Sequence, residues 1–130
     1  MINNKDIYDF SDKWRTKFLA RDTNYIELIE IDFGNDCKAL GFEMDCGKNF
    51  ISKYGEDAFN ECEKLETIIN NINDIYLLGS AIHSKWRYFN HWAYSGFEIL
   101  EPKNRKWFVL ILDRLIELTN EETKGKSYEE

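Results

Sequence analysis

The side chains best suited to chemistry cluster between positions 75 and 94, in the stretch IYLLGSAIHSKWRYFNHWAY, which holds both histidines and two of the four tryptophans. At helical spacing Ser80, His83, Arg87, Asn90, His91 and Tyr94 fall on one face, because residues three and four apart are neighbours on a helix. Such a stripe suits an anionic or aromatic ligand. Arg87 offers a fixed charge, the imidazoles adjustable donors, and Tyr94 a hydroxyl handle. It does not suit a metal: His83 and His91 lie two turns apart, and Arg87 between them repels a cation. The competing reading is a face that is solvated or hydrogen-bonded to neighbouring helices.

A second candidate is the basic run Lys103, Arg105 and Lys106, in the first turn of a helix opened by Pro102. Cations there oppose the helix macrodipole, whereas a bound anion would be favoured by the free amides and the side chains together. The bland alternative is that these side chains reach into water or pair with acidic helices. A third candidate is an acidic segment, Glu27, Glu30, Asp32, Asp36 and Glu43, which is either a surface for a basic protein partner or a solvated face. Asp32 and Asp36 are one turn apart, but no calcium-loop or Glu-x-x-His pattern accompanies them, so no metal is expected.

Three cysteines, Cys37, Cys46 and Cys62, are odd in number, widely spaced and without a CxxC. They read as reduced structural thiols rather than a disulfide framework or a zinc site. No P-loop, glycine fingerprint, HExxH or GxSxG is present. The reading therefore leans away from catalysis and calls for no cofactor.

Composition narrows the setting. The 130 residues suit one domain, and 43% hydrophobic with 15% aromatic residues is enough for a sizeable core. A net charge of −7 disfavours nucleic acid and anionic membranes as partners. The polar N-terminus MINNKDIYDF lacks the apolar run of a secretory signal, and no run approaches the ~20 residues that span a bilayer. A cytoplasmic protein is expected, its oligomeric state left open.

These candidates need helices to hold them. Ile7, Phe10, Trp14 and Phe18 predict a first helix over 5–20, capped by Asn3 or Asn4. Ile26, Ile29, Phe33, Cys37, Leu40 and Met44 predict a helix over 25–45. The alternative there is a hairpin turning at Gly34-Asn35-Asp36, which would make the fold α+β. A short helical turn around Phe50–Tyr54, ending at Gly55, precedes a helix over 56–72 with Phe59, Cys62, Leu65, Ile69 and Ile72 inward. The central helix spans 74–95, with Asp74 as N-cap and Leu78, Ile82, Trp86, Phe89 and Ala93 on its apolar side. The last helix runs from Pro102 to about Thr119, leaving 120–130 as a flexible acidic tail beyond a single helical domain over 1–119. The fold expected is all-α, a single-domain bundle of about five helices around the central one.

Three segments, DCKALGFEMDCG (36–47), LGSAIHSKWRYFNHWAYSG (78–96) and WFVLILDRL (107–115), carry a likeness covering most of the chain. It resembles a group of small uncharacterised proteins of anaerobic Gram-positive bacteria. The likeness implies a bacterial intracellular protein and brings no activity or functional residue with it. Small acidic helical domains without catalytic motifs suit inhibitor, immunity or regulatory roles, so the first expectation is action through a protein partner. The alternative is a small-molecule or anion-binding domain, with or without enzymatic activity, using the polar stripe and the basic turn.

Overall fold

The computed structural model describes residues 3–20, 31–42, 47–91 and 101–128, with side chains for all of these except 31, 90, 91 and 121–128. Six α-helices lie among the described residues: α1 (Asn4–Leu19), α2 (Ile31–Ala39), α3 (Lys48–Asn60), α4 (Cys62–Ile69), α5 (Ile75–His91) and α6 (Pro102–Tyr128). No strand occurs among them. The fold is an all-α bundle. The hairpin alternative fails where it can be read: Gly34-Asn35-Asp36, its proposed turn, lies inside α2. The remainder of 25–45 on either side, 25–30 and 43–45, is outside the described residues.

Local chemistry sets the helix ends. Asn3 Oδ1 accepts the Asp6 amide at 2.9 Å, and Asp74 Oδ1 accepts the amides of Tyr76 and Leu77 at 3.0 and 3.2 Å. Both are side-chain caps on otherwise orphaned first-turn donors. Pro102 opens α6, where a missing amide costs nothing.

The break expected at Gly55 is present: at φ 85° and ψ 162° its backbone is not helical, and two helical pieces meet there in a kink within the Lys48–Asn60 span. Two later boundaries differ from expectation. The single helix expected over 56–72 is instead broken at Glu61, which is extended at φ −119° and ψ 123°. The reason is tertiary. α3 packs chiefly on α5 and meets α6 at its end, through Ala58 and Phe59 against Trp107, whereas α4 packs along α6. Resetting the register there buries Ala58 fully and leaves Phe59 and Cys62 half-buried. The last helix also runs on past Thr119 to Tyr128. Residues 120–128 contain no proline, and their Glu and Lys residues are good helix formers.

α5 packs on α2, α3 and α6, and α6 packs on α1, α4 and α5, so these two helices tie the bundle together. The first helix buries Ile7, Phe10, Trp14 and Phe18, the stripe its periodicity predicts. Phe33 of α2 sits at the centre of five rings: Trp14 at 4.8 Å, Phe10 at 5.6 Å, Trp86 at 5.8 Å, and Phe18 and Phe108 each at 6.2 Å between centroids. Two glycines make this packing fit. A Cβ on Gly34 would stand 2.4 Å from the Trp86 ring, and one on Gly79 would stand 2.2 Å from the Phe42 ring. Any larger residue would force these buried aromatics apart.

Candidate functional site

The polar stripe of α5 does not form one surface. Ser80 is 4% exposed, and its hydroxyl accepts the Gly47 amide at 2.9 Å, holding the start of α3 against α5. His83 is 7% exposed, its ring 5.8 Å from that of Trp86 and nearly parallel to it. Arg87, one turn on, is exposed. The side chains of Asn90 and His91, and all of Tyr94, lie outside the described residues. The divergence follows from α5 having three helical neighbours: its buried arc is wider than the apolar stripe, and it draws in Ser80 and His83.

The basic turn also divides. Arg105 donates from Nε to the Phe18 carbonyl at 2.8 Å and from a terminal nitrogen to the Ala20 carbonyl at 2.5 Å. These are carbonyls at the C-terminal end of α1, which a helix leaves unsatisfied. Lys106 reaches Glu66 at 3.7 Å across an exposed gap. Lys103 lines a concavity.

Of the acidic segment, Asp32 is exposed. Asp36 accepts from Lys13 Nζ at 3.0 Å and from the Trp14 indole at 2.9 Å, and so joins α2 to α1. Glu27, Glu30 and Glu43 lie outside the described residues. Among the described residues no three His, Cys, Asp or Glu side chains gather where a metal could sit.

The concavity that Lys103 faces is the site periodicity missed. It has a volume of about 210 Å³ and lies where the end of α3 (Phe59, Asn60), the middle of α5 (Lys85, Tyr88, Phe89) and the start of α6 (Lys103, Asn104, with Glu101 just before it) converge. Lys85 is its distinctive member, only 5% exposed. Its ammonium lies 5.2 Å from the centre of the Phe59 ring, 5.4 Å from Trp107 and 5.8 Å from Phe89. Nζ donates to Asn60 Oδ1 at 3.2 Å. No ion pair joins it to a carboxylate among the described residues.

Burial pushes the Lys85 amine down from the usual 10.5 to about 8, opposed by nearby Cys62 and reinforced by Lys103. The three ring faces favour the ammonium and offset part of that penalty. The sequence did hold a signal. Leu78, Ile82, Lys85 and Phe89 are spaced 4, 3 and 4, so Lys85 occupies a position in the apolar register of α5. A lysine there must either snorkel out or be buried with a purpose.

Cys62, at the start of α4, borders the same region. Its thiol donates to the Lys103 carbonyl at 2.8 Å and fixes the first turn of α6. Burial pushes the Cys62 thiol up, against the pull of Lys106 and Lys85. Cys37 is wholly buried, and burial pushes its thiol well up. Neither thiol is in a disulfide. Cys46 lies outside the described residues. No described helix is long and apolar enough to cross a membrane.

The cleft thus combines an aromatic floor, one buried amine, one exposed amine, the Glu101 carboxylate and two side-chain amides, Asn60 at the end of α3 and Asn104 at the start of α6. No family model, curated protein or solved structure matches the chain.

Proposed function

We propose that the protein binds a small anionic metabolite in the cleft between α3, α5 and the start of α6. The observation that carries this reading is Lys85, a buried amine beside an open cleft that donates to the neutral amide of Asn60 and not to a carboxylate. A buried cation without a counter-charge is costly, and a bound carboxylate or phosphate would supply the missing partner. Lys103 and the N-terminal end of α6 add to the positive potential at the same place. In a chain of net charge −7, the two lysines that line the cleft outnumber its one carboxylate, Glu101, which is a local reversal of sign. The cleft is smaller than the ~300–1,000 Å³ of drug-sized ligand sites, which favours a ligand of a few carbons.

A basic protein partner for the acidic segment is the reading this displaces. Asp36, one of its members, is committed to Lys13 and Trp14.

The test is thermal unfolding in acetate, oxalate and inorganic phosphate, each set against chloride at equal ionic strength. A ligand at a hundred times its Kd stabilises by about 2.7 kcal/mol. At least one of these anions is expected to raise the melting temperature of the wild type. Lys85→Met should abolish the rise and Lys103→Ala should weaken it. An equal rise in Lys85→Met, or no rise with any anion, would overturn the proposal.

A further inference from the structure

The anion-binding reading concerns charge, but the group at the back of the cleft is also a primary amine, and its surroundings differ from those of an ordinary structural lysine. Among the described residues Lys85 has no carboxylate to hold it as a permanent ammonium. It donates instead to the amide oxygen of Asn60, which can accept from either an amine or an ammonium and holds the ammonium less firmly than a carboxylate would. The rings of Phe59, Phe89 and Trp107 limit water around Nζ while the cleft leaves a way in. Lysines desolvated in apolar pockets are the ones that act as amine nucleophiles toward carbonyl carbons.

Resting on the anion-binding reading, we infer that Lys85 forms an imine with a small carboxylated aldehyde or ketone, an oxo acid of a few carbons. Lys103 and the first turn of α6 hold its carboxylate, and its carbonyl carbon meets Nζ.

In the reaction, the deprotonated amine of Lys85 attacks the carbonyl carbon. The π pair moves to oxygen, which takes up a proton as the nitrogen gives one up, leaving a neutral carbinolamine. The hydroxyl then takes the proton first released by the ammonium and departs as water, while the nitrogen lone pair forms the C=N bond of the protonated imine. In sum, one ammonium and one carbonyl give one iminium and one water, with no oxidant or reductant. The Tyr88 hydroxyl and the Glu101 carboxyl line the same cleft and can carry the protons. Burial also supports this step, since an amine at about 8 is free in roughly a tenth of molecules at neutral pH, far more than a lysine at 10.5.

The experiment is reductive trapping of the full chain with pyruvate or glyoxylate and cyanoborohydride, read by intact mass and peptide mapping. The expected result is one adduct, on Lys85 in preference to the eleven other lysines. It should be absent in Lys85→Arg, which keeps the charge but is not a nucleophile. Lys103→Ala, an exposed change that should leave the fold intact, is expected to slow trapping by roughly threefold to fivefold, the worth of one exposed ion pair.

Acetaldehyde, which lacks the carboxylate, should label Lys85 more slowly than pyruvate. Adducts spread over exposed lysines, or none at all, would overturn the inference, and equal labelling by acetaldehyde would overturn the oxo-acid assignment. Lactate, which has the carboxylate but no carbonyl, separates the two readings. If lactate raises the melting temperature through Lys85 while pyruvate leaves no adduct, anion binding stands and imine formation falls. If neither lactate nor pyruvate binds, the imine inference falls, and the anion-binding reading falls with it only if acetate, oxalate and phosphate also leave the melting temperature unchanged.

Discussion

Phe33 and Lys85 are both buried side chains ringed by aromatics, yet their surroundings leave them in opposite states. Phe33 is enclosed by five rings, and most of its setting is neutral or paired: the Trp14 indole donates to Asp36, and Arg105 closes the carbonyl end of α1, while the buried Trp86 Nε1 alone of these groups has no hydrogen-bond partner among the described residues. Arg15 and Asp113 pair between α1 and α6 on the same side. Around Lys85 three rings stand at similar distances, but a charge sits among them with a neutral amide as its partner. The two clusters are continuous through Phe108, which touches Phe33 on one side and Phe89 and Trp107 on the other. One core therefore contains a region optimised for packing and a region where packing carries an electrostatic cost. Such a cost, placed at a cleft, marks a site better than exposed polarity does, because exposed charges are cheap.

The largest effect should come from the optimised side. Phe33→Ala removes the ring that five others contact and is expected to destabilise by about 3–5 kcal/mol. Urea unfolding followed by tryptophan fluorescence would measure it. A loss below about 1 kcal/mol would mean that the cluster collapses into the space, and that its fit around Phe33 is not what holds α2 in place.

The opposite sign is expected at the other cluster. Lys85→Met keeps the length and removes the charge, and should stabilise the protein at pH 7 by up to about 3 kcal/mol, the equivalent of moving the amine from 10.5 to about 8. The pH dependence follows from the same displacement. Below about 8 the amine is protonated folded or unfolded, and the burial cost is present in full. Between about 8 and 10.5 the unfolded chain binds more protons at this position, so stability rises with pH, and above that window the cost is gone. Cys62 and Lys103 act electrostatically on the same group, so the readout is the difference between wild type and Lys85→Met across roughly pH 7 to 10.5. That difference should shrink steadily as pH rises. A constant difference would show that Lys85 is not desolvated in the folded protein.

A smaller effect should separate the regions by their hydrogen bonds. Asp36→Ala strips the acceptor from Trp14 and Lys13 and should cost about 1–2 kcal/mol, chiefly by orphaning a buried indole donor. Asp36→Asn, which keeps an acceptor, should recover most of it. If both variants match the wild type in denaturant titration, the clasp between α1 and α2 is not a stability element.

Much of this architecture was determined by the sequence alone, and the reason is local. The stripe Ile7, Phe10, Trp14 and Phe18 has one buried face at helical period; Asn3 and Asp74 mark helix starts through bonds that span three residues or fewer, and Pro102 marks one by its missing amide donor. Such features are legible because their physics is complete within a turn of chain.

The tertiary structure decided the rest. The break at Glu61 exists because α3 packs chiefly on α5 and α4 along α6, which no local periodicity encodes. His83 left the polar stripe because α5 has three neighbours and buries more of its circumference than its apolar residues require. Arg105 and Lys103 are two positions apart in the same basic run, but one reaches the end of α1 and the other a cleft, according to which helix each side of α6 meets. Lys85 was visible only as a lysine in an apolar register. Whether such a residue reaches water or stays buried depends on what stands over it, here Phe59 and Trp107, and they arrive from α3 and α6 only when the bundle closes.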